Sequence, residues 1–406
     1  MAPSMTTPTT RRTLNDRLAA VRAHTLALAA PLSPEDMGLQ SMPDASPAKW
    51  HLAHTTWFFE TLVLLPYAPD YRVVDERWMR LFNSYYESLG PRHPRPQRGL
   101  LSRPSTAEVL GYRAGVDAAL FGFIADADQD SFDAAAGLIE LGLQHEQQHQ
   151  ELLLTDVLHA FSLNPLLPAL HSRPAQRPAA FAGSGWTHHA GGLATVGCAA
   201  GLGFAFDNET PRHQVLLQPH ALARGLVTNG EFRDFMADGG YRRPALWLSE
   251  GWSSVQAQGW SAPLYWQLRT DGQPVSEFGL HGSQPWQAES AVCHLSFFEA
   301  AAYAEWAGAR LPTEFEWEAA ASQAEPPEDL FGSVWQWTRS SYDPYPGFRP
   351  HAGAVAEYNG KFMVGQIVLR GSSLATPPGH ARKSYRNFFP PGARWQFSGL
   401  RLARDL

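Results

Sequence analysis

The hydrophobic pattern of the chain changes character once, near residue 170, and that single change limits it to two unlike domains. From Thr13 onward, four long stretches carry apolar residues at three- and four-residue intervals: TLNDRLAAVRAHTLALAA, WHLAHTTWFFETLVLL, STAEVLGYRAGVDAALFGFIADA and FDAAAGLIELGLQHEQQHQELLLTDVLHAF. Pro31, Pro43, Pro66 and the stretch GPRHPRPQRGLLSRPS separate them, as chain breakers should. Four long helices with polar connections predict an up-and-down bundle over residues 12–170. NPLLPALHSRPAQRPAAFAGSGW then shifts to Pro, Ala and Arg, and residues 171–190 read as a linker. Beyond it Gly and Trp become frequent and the apolar runs shorten to GLATVGC, HQVLLQPHALA, MVGQIVLRG and FSGLRLAR. With helical patches at TNGEFRDFMADGG and SFFEAAAYAEWAG, residues 191–406 read as an α+β domain with much irregular structure. No internal repeat at solenoid periods is present.

Composition removes several function classes. Of 406 residues, 44% are hydrophobic and 12% aromatic, enough for two packed cores. The formal charge is −7 and lysine occurs only at Lys49, Lys361 and Lys383, so no basic face for nucleic acid is expected. No apolar run reaches the roughly 20 residues that span a bilayer. The first residues, MAPSMTTPTTRRT, are expected to be mobile and lack the apolar core of a signal peptide. Cys198 and Cys293 form no disulfide framework and no CxxC pair exists. A cytoplasmic protein is the expectation.

The sharpest local signal is LQHEQQHQELL. His145 and His149 stand four apart on a predicted helix, hence on one face, where two imidazoles can reach one metal ion. Taken alone, the pair is more often two surface histidines on a polar helix. His145-Glu146-x-x-His149 also satisfies the zinc-protease pattern, with Glu146 as base. That reading needs a downstream third ligand, and Glu151, Asp156, His159 and His171 stand at none of its spacings. The other source of a third ligand is upstream. His51 and His54 lie on the second predicted helix among Trp50, Trp57, Phe58 and Phe59, and spacing alone does not separate the two. Three neutral imidazoles would leave coordination positions open for catalysis.

WHLAHTTWFFE and HEQQHQE together resemble the DinB-like iron-binding half of the ergothioneine-biosynthesis sulfoxide synthases. The later segments FAFDNETPRHQV, LVTNGEF, RLPTEFEWEAA, VWQWTRSSYDPYPGF, EYNGKFM and SYRNFFPPGARWQFSGLRLARD resemble that family's C-type-lectin-like half, of the formylglycine-generating-enzyme (sulfatase-modifying) type. The resemblance implies a DinB-like four-helix bundle followed by that α+β domain, which helps to form the substrate pocket. It further implies a mononuclear non-haem Fe(II) centre held by His54, His145 and His149, with His51 outside the ligand set. The implied substrates are O2, hercynine (the trimethylbetaine of histidine) and a thiol donor, coupled at the imidazole ring carbon to give a sulfoxide.

The same resemblance assigns roles to other residues. Asn387 and Phe388, with Tyr345 nearby, would receive the quaternary ammonium, which aromatic faces and amide oxygens suit. The adjoining position is more often Trp than Phe in mycobacterial-type members. Gln148 would hydrogen-bond the substrate imidazole or carboxylate. Tyr86, or its neighbour Tyr85, would supply a proton or hydrogen atom during coupling, with Tyr342 as the alternative from another subgroup. Arg95 and Arg98 match arginines that hold donor carboxylates, a task their planar forks suit. Trp335, Trp337 and RLPTEFEWE read as scaffold.

Departures from the family cluster in KFMVGQIVLRGSSLATP. There Gly365, Ser372 and Leu374 stand where cysteine- or γ-glutamylcysteine-using relatives commonly carry Asn, Gly and Cys. Loss of the amide opens space, and loss of the cysteine removes a thiol that could react with selenium reagents. The expected branch is therefore the selenoneine synthases, which join a selenosugar to hercynine through carbon–selenium bond formation. The alternative is a sulfoxide synthase using cysteine or γ-glutamylcysteine.

Overall fold

The computed structural model describes residues 10–172, 185–199, 201, 203–350, 355 and 359–406. The mobile start expected at residues 1–9, most of the expected linker (173–184) and the beginning of EYNGKFM lie outside the described residues. The chain divides into two compact units, one running to Asn164 and the other starting at Pro165, with Gly201, Gly203, Phe204 and Val355 grouped with the first.

The first unit contains α1 (Arg11–Ala29), α2 (Ala48–Phe59), the short α3 (Leu65–Tyr67) and α4 (Glu76–Leu81), then α5 (Thr106–Asp126) and α6 (Gln129–Ser162). Side-chain caps set the starts of α1, α5 and α6. Thr10 accepts from the Thr13 N–H, Ser105 and Glu108 form a reciprocal capping box, and Asp128 accepts from the Ser131 N–H. Buried Leu14, Leu18, Arg22, Thr25 and Ala29 form one stripe of α1, at spacings of three and four. Pro66 does not separate two helices as expected. Residues Glu60–Leu64 widen into a π-turn and the helical path continues through Leu65–Tyr67. The buried Glu60 carboxylate ties this turn down, accepting from the Tyr71 and Tyr112 hydroxyls and the Val74 N–H. Where α6 crosses α2, a Cβ at Gly142 would lie 2.4 Å from a ring carbon of Phe59 and 3.1 Å from one of Phe58. Glycine there permits the close approach, and one turn later the histidine face of α6 meets α2.

The second unit is a set of small sheets with helices between them. In chain order come β1 (Trp186–His189), β2 (Gly192–Val196), β3 (His213–Leu217), β4 (His220–Ala223), α7 (Asn229–Ala237) and α8 (Ser249–Gln258). Then follow β5 (Trp266–Leu268), β6 (Pro274–Gly279), β7 (Gly282–Pro285), α9 (Phe297–Trp306) and α10 (Glu314–Ala321). The last strands are β8 (Trp335–Ser341), β9 (Ile367–Arg370), β10 (Asn387–Phe389), β11 (Ser398–Gly399) and β12 (Ala403–Asp405). Their pairing orders are β1-β4-β12, β10-β9-β8-β11, β2-β3 and β5-β6-β7, with β11 parallel to β8. β1 falls within the stretch read as linker, yet it pairs antiparallel with β4 from Trp186 to His189. Two helices, α8 and α10, were not foreseen. The signal for α10 is the capping box of Thr313 and Glu316, the T-x-x-E inside RLPTEFEWEAA. Trp317, Trp335 and Trp337 are fully buried scaffold. Among the described residues no helix is long and apolar enough to cross a membrane.

Candidate metal centre

One nitrogen from each of His54, His145 and His149 falls in a cluster whose members all lie within 4.8 Å of one another. α2 supplies His54, and α6 supplies the other two from adjacent turns. His54 Nδ1 lies 2.6 Å from the Phe82 carbonyl oxygen, which can only accept, so Nδ1 carries the proton and Nε2 keeps its lone pair. That Nε2 is 3.2 Å from Nε2 of His145. Burial pushes all three imidazoles toward the neutral form: His54 and His149 well below the usual range, His145 to about 3. Mutual repulsion among the histidines adds to the effect at His54 and His149. Three neutral nitrogen donors converging on one point, His54 and His145 buried and His149 half-buried, fit a divalent transition metal that keeps open positions. Trp50 stacks on His54 at 4.5 Å between ring centroids, and Phe58 packs on His145 at 4.7 Å.

Glu146 has other work than that of a protease base. Its carboxylate is fully buried and accepts from Arg22 Nη1 at 2.7 Å, from Arg113 and from the Thr25 hydroxyl. Burial alone would raise its pKa, but Arg113 and Arg22 outweigh that and hold it at about 2. The residue bolts α6 to α1 and α5. Three of the residues downstream of the motif have other partners. His159 Nδ1 is 2.7 Å from the Ser41 hydroxyl, His171 packs on His281, and Asp156 accepts from the Ser46 N–H and lies 3.0 Å from His51 Nε2.

Around the triad the structure places the remaining first-unit residues as follows. Arg98 is 4% exposed, has its guanidinium carbon 3.4 Å from the Trp50 ring centroid, and donates to the Ser46 and Ser84 hydroxyls. Among the described residues no carboxylate comes within ion-pair distance of it. Burial and then the neighbouring Arg95 lower its proton affinity well below the ordinary arginine value. Arg95 itself is exposed and donates to the Asp44 carbonyl. Tyr86 is fully buried against Trp57 (5.7 Å) and Phe58 (6.5 Å), the same rings that pack on His54 and His145. Tyr85 stacks on Tyr86 at 4.8 Å. Gln148 is half-buried on α6, immediately before His149.

In the second unit, Phe388 stacks on the buried Tyr342 at 4.1 Å and on Phe362 at 5.9 Å. The Tyr342 hydroxyl accepts from Asn208 Nδ2 at 2.9 Å, and burial raises its pKa. Asn387 is half-buried, its side-chain oxygen accepting from the Phe388 N–H. Tyr345 is buried. Arg386 lies over its ring at 4.0 Å, His213 packs at 4.5 Å, and its hydroxyl donates to Glu314. The Arg386 guanidinium forms two 2.8–2.9 Å hydrogen bonds to that same carboxylate.

Residues 17–153 match the DinB superfamily, and residues 179–326 and 327–406 match the sulfatase-modifying factor enzyme 1-like domain. The chain is 33% identical to the hercynine oxygenase of Mycolicibacterium smegmatis, covering 98% of this chain and 99% of that protein. The hercynine oxygenase of Mycobacterium tuberculosis is likewise 33% identical over 96% and 98%. The chain belongs to the ergothioneine-biosynthesis sulfoxide synthase family. A more distant relative, ergothioneine biosynthesis protein 1 of Schizosaccharomyces pombe, is 23% identical over half of this chain and 28% of its own length.

Two features of the site have no direct signature in the local sequence. One is the Glu146–Arg22–Arg113 bolt. The other is the placement of His51 and Asp156 behind His149. Asp156 lies seven residues, two helical turns, beyond His149, and that spacing was the available clue.

Proposed function

We propose that this sulfoxide synthase uses Fe(II), held by His54, His145 and His149, to couple a chalcogen donor oxidatively to the imidazole ring of hercynine. The observation that carries the reading is the cluster of three neutral imidazoles, two of them buried and His149 half-buried, in a chain similar to hercynine oxygenases over nearly its whole length. With a thiol donor the balance is hercynine C–H plus RSH plus O2 giving a ring-carbon sulfoxide plus water. The carbon–sulfur bond and the sulfoxide each account for two electrons, and O2 takes all four. The metal supplies a binding position for the donor's sulfur or selenium and the one-electron chemistry with O2.

The protein's own residues orient and transfer protons. By the family resemblance, Gln148 is assigned to the hercynine imidazole or carboxylate, and Asn387 and Phe388 are assigned to the trimethylammonium. Arg98, buried without a carboxylate partner, takes the donor's acidic group, with Arg95 at the rim. Tyr86 delivers the proton or hydrogen atom that steers oxygen toward coupling and away from simple oxidation of the donor. Positioning of the two reactants contributes much of the rate.

The donor we favour is a selenosugar, which makes the reaction carbon–selenium bond formation and the protein a selenoneine synthase. Support comes from the altered loop. Gly365 and Leu374 are exposed, Leu374 by 51%, and a Cβ at Gly365 would meet nothing within 4 Å. Packing therefore dictates neither replacement, although Gly365 has a φ of +76°, a left-handed conformation that favours glycine. Ser372 is different, since it is buried and its hydroxyl accepts from the Gly332 N–H at 2.8 Å.

A competition assay tests both levels of the proposal. Anaerobic Fe(II)-loaded protein receives hercynine with cysteine, γ-glutamylcysteine and a selenosugar together, then air, and mass spectrometry reads the adducts. A dominant selenium isotope pattern is expected. A dominant cysteine-derived sulfoxide would reassign the donor, and no ring adduct at all would overturn the reaction. In the same assay Tyr86→Phe is expected to lose coupling while the donor is still oxidised. Full coupling by Tyr86→Phe, with loss in Tyr342→Phe, would move the role to Tyr342.

A further inference from the structure

Behind the triad runs a line of polar contacts that the proposed reaction does not use. His51 is 3% exposed. Its Nε2 lies 3.0 Å from Asp156 Oδ2 and its Nδ1 lies 2.9 Å from Nδ1 of His149. The same Asp156 oxygen accepts from the Ser46 N–H at 2.8 Å, and Ser46 is held through its hydroxyl by Arg98. Asp156, on α6, and His51, on α2, are thus fixed at both ends in a buried setting.

The donor and acceptor identities along this line follow from chemistry. A carboxylate only accepts, so His51 Nε2 carries a proton. A neutral His51 then has a bare Nδ1, which can only accept, so the proton between the two rings belongs to His149 Nδ1. A neutral His149 protonated at Nδ1 has its lone pair on Nε2, the one nitrogen left for a metal. In the opposite arrangement His149 would carry its proton on Nε2 and could not be a ligand through it. At His54 the Phe82 carbonyl does the same task directly.

We propose that Asp156 and His51 are positioning residues of the metal centre, an Asp–His–His line that fixes the tautomer and ring orientation of His149 and makes it a stronger donor. The inference rests on the reading of His54, His145 and His149 as metal ligands. Partners behind ligating histidines commonly set affinity within a factor of about 10 to 100. Here the partner is itself a histidine, so the carboxylate acts at one remove.

The test is Co(II) binding to the full chain, followed by its visible absorption spectrum and by competition with a chromophoric chelator. His51→Leu and Asp156→Ala should each weaken binding by about 10- to 100-fold and alter the spectrum. The double variant should bind no more weakly than His51→Leu alone, because Asp156 acts through His51. His51→Gln should restore most of the affinity, since its carbonyl can accept from His149 while its amide donates to Asp156. A merely structural role predicts neither that rescue nor the spectral change. Should His51→Leu fail to fold, isosteric Asp156→Asn carries the test, with a loss of about tenfold or more expected. Wild-type affinity and spectrum in both Asp156→Asn and His51→Leu, or additive losses in the double variant, would overturn the proposal. If the wild-type protein binds no Co(II), the ligand assignment itself falls, whereas variants that bind normally sink only the positioning line.

Discussion

Glutamine in place of Glu146 will destabilise the helical unit by about 3–5 kcal/mol while leaving metal binding in whatever protein remains folded. The carboxylate is 0% exposed and neutralises Arg22 and Arg113, which are 2% and 1% exposed. Removing its charge leaves two buried guanidiniums facing each other, with only Asp117 beside Arg22 to compensate. Chemical denaturation, with metal content measured on the folded fraction, checks this. A protease-type general base would give the opposite result, with intact stability and lost chemistry. The same carboxylate gives the unit an acid-sensitive component. Its folded pKa of about 2 lies below the ordinary glutamate value of 4.5, so its contribution is complete above about pH 4.5. It fades as pH falls toward 2 and is on the order of 3 kcal/mol in size. Stability measured from pH 6 down to pH 2 should fall faster in the wild type than in Glu146→Gln.

Alanine at His145 will abolish metal-dependent stabilisation without unfolding the bundle. The three imidazoles crowd their lone pairs together, and desolvation disfavours charge on each of them. Removing one relieves that crowding and also removes a ligand. For the wild type, metal at about 100 times its Kd adds about 2.7 kcal/mol to stability. His145→Ala should show the metal-free melting temperature with or without metal. An unchanged metal-induced shift in the variant would remove His145 from the ligand set.

Periodicity made the long helices legible because their burial follows it. In α1 each buried position lies three or four residues from the last, and in α6 the same spacing put His145 and His149 on one face. Spacing could not choose between His51 and His54, because both lie inward on a helix that is buried on every side. The carbonyl of Phe82 and the carboxylate of Asp156 distinguish them, and each is brought there by tertiary packing from distant sequence. The role of Glu146 is hidden from the sequence for a similar reason. Its motif neighbours suggested a base, and only the arrival of Arg22 and Arg113 from other helices reveals an ion-paired bolt. Tyr345 is conspicuous in YDPYPGF, yet its surroundings are set by Arg386, forty-one positions later. In the second unit the short apolar runs marked strands such as β9. HQVLLQPHALA instead divides at Pro219 into two strands of different sheets.

The most direct measurement is oxygen uptake by Fe(II)-loaded protein given hercynine and a chalcogen donor, with each component omitted in turn. The account predicts rapid uptake only when iron, hercynine and donor are all present, with one O2 consumed per ring adduct formed. A protein that stores metal or merely binds ligands would consume none. Adduct formation that persists without iron or without O2, or uptake indifferent to hercynine, would contradict the assignment.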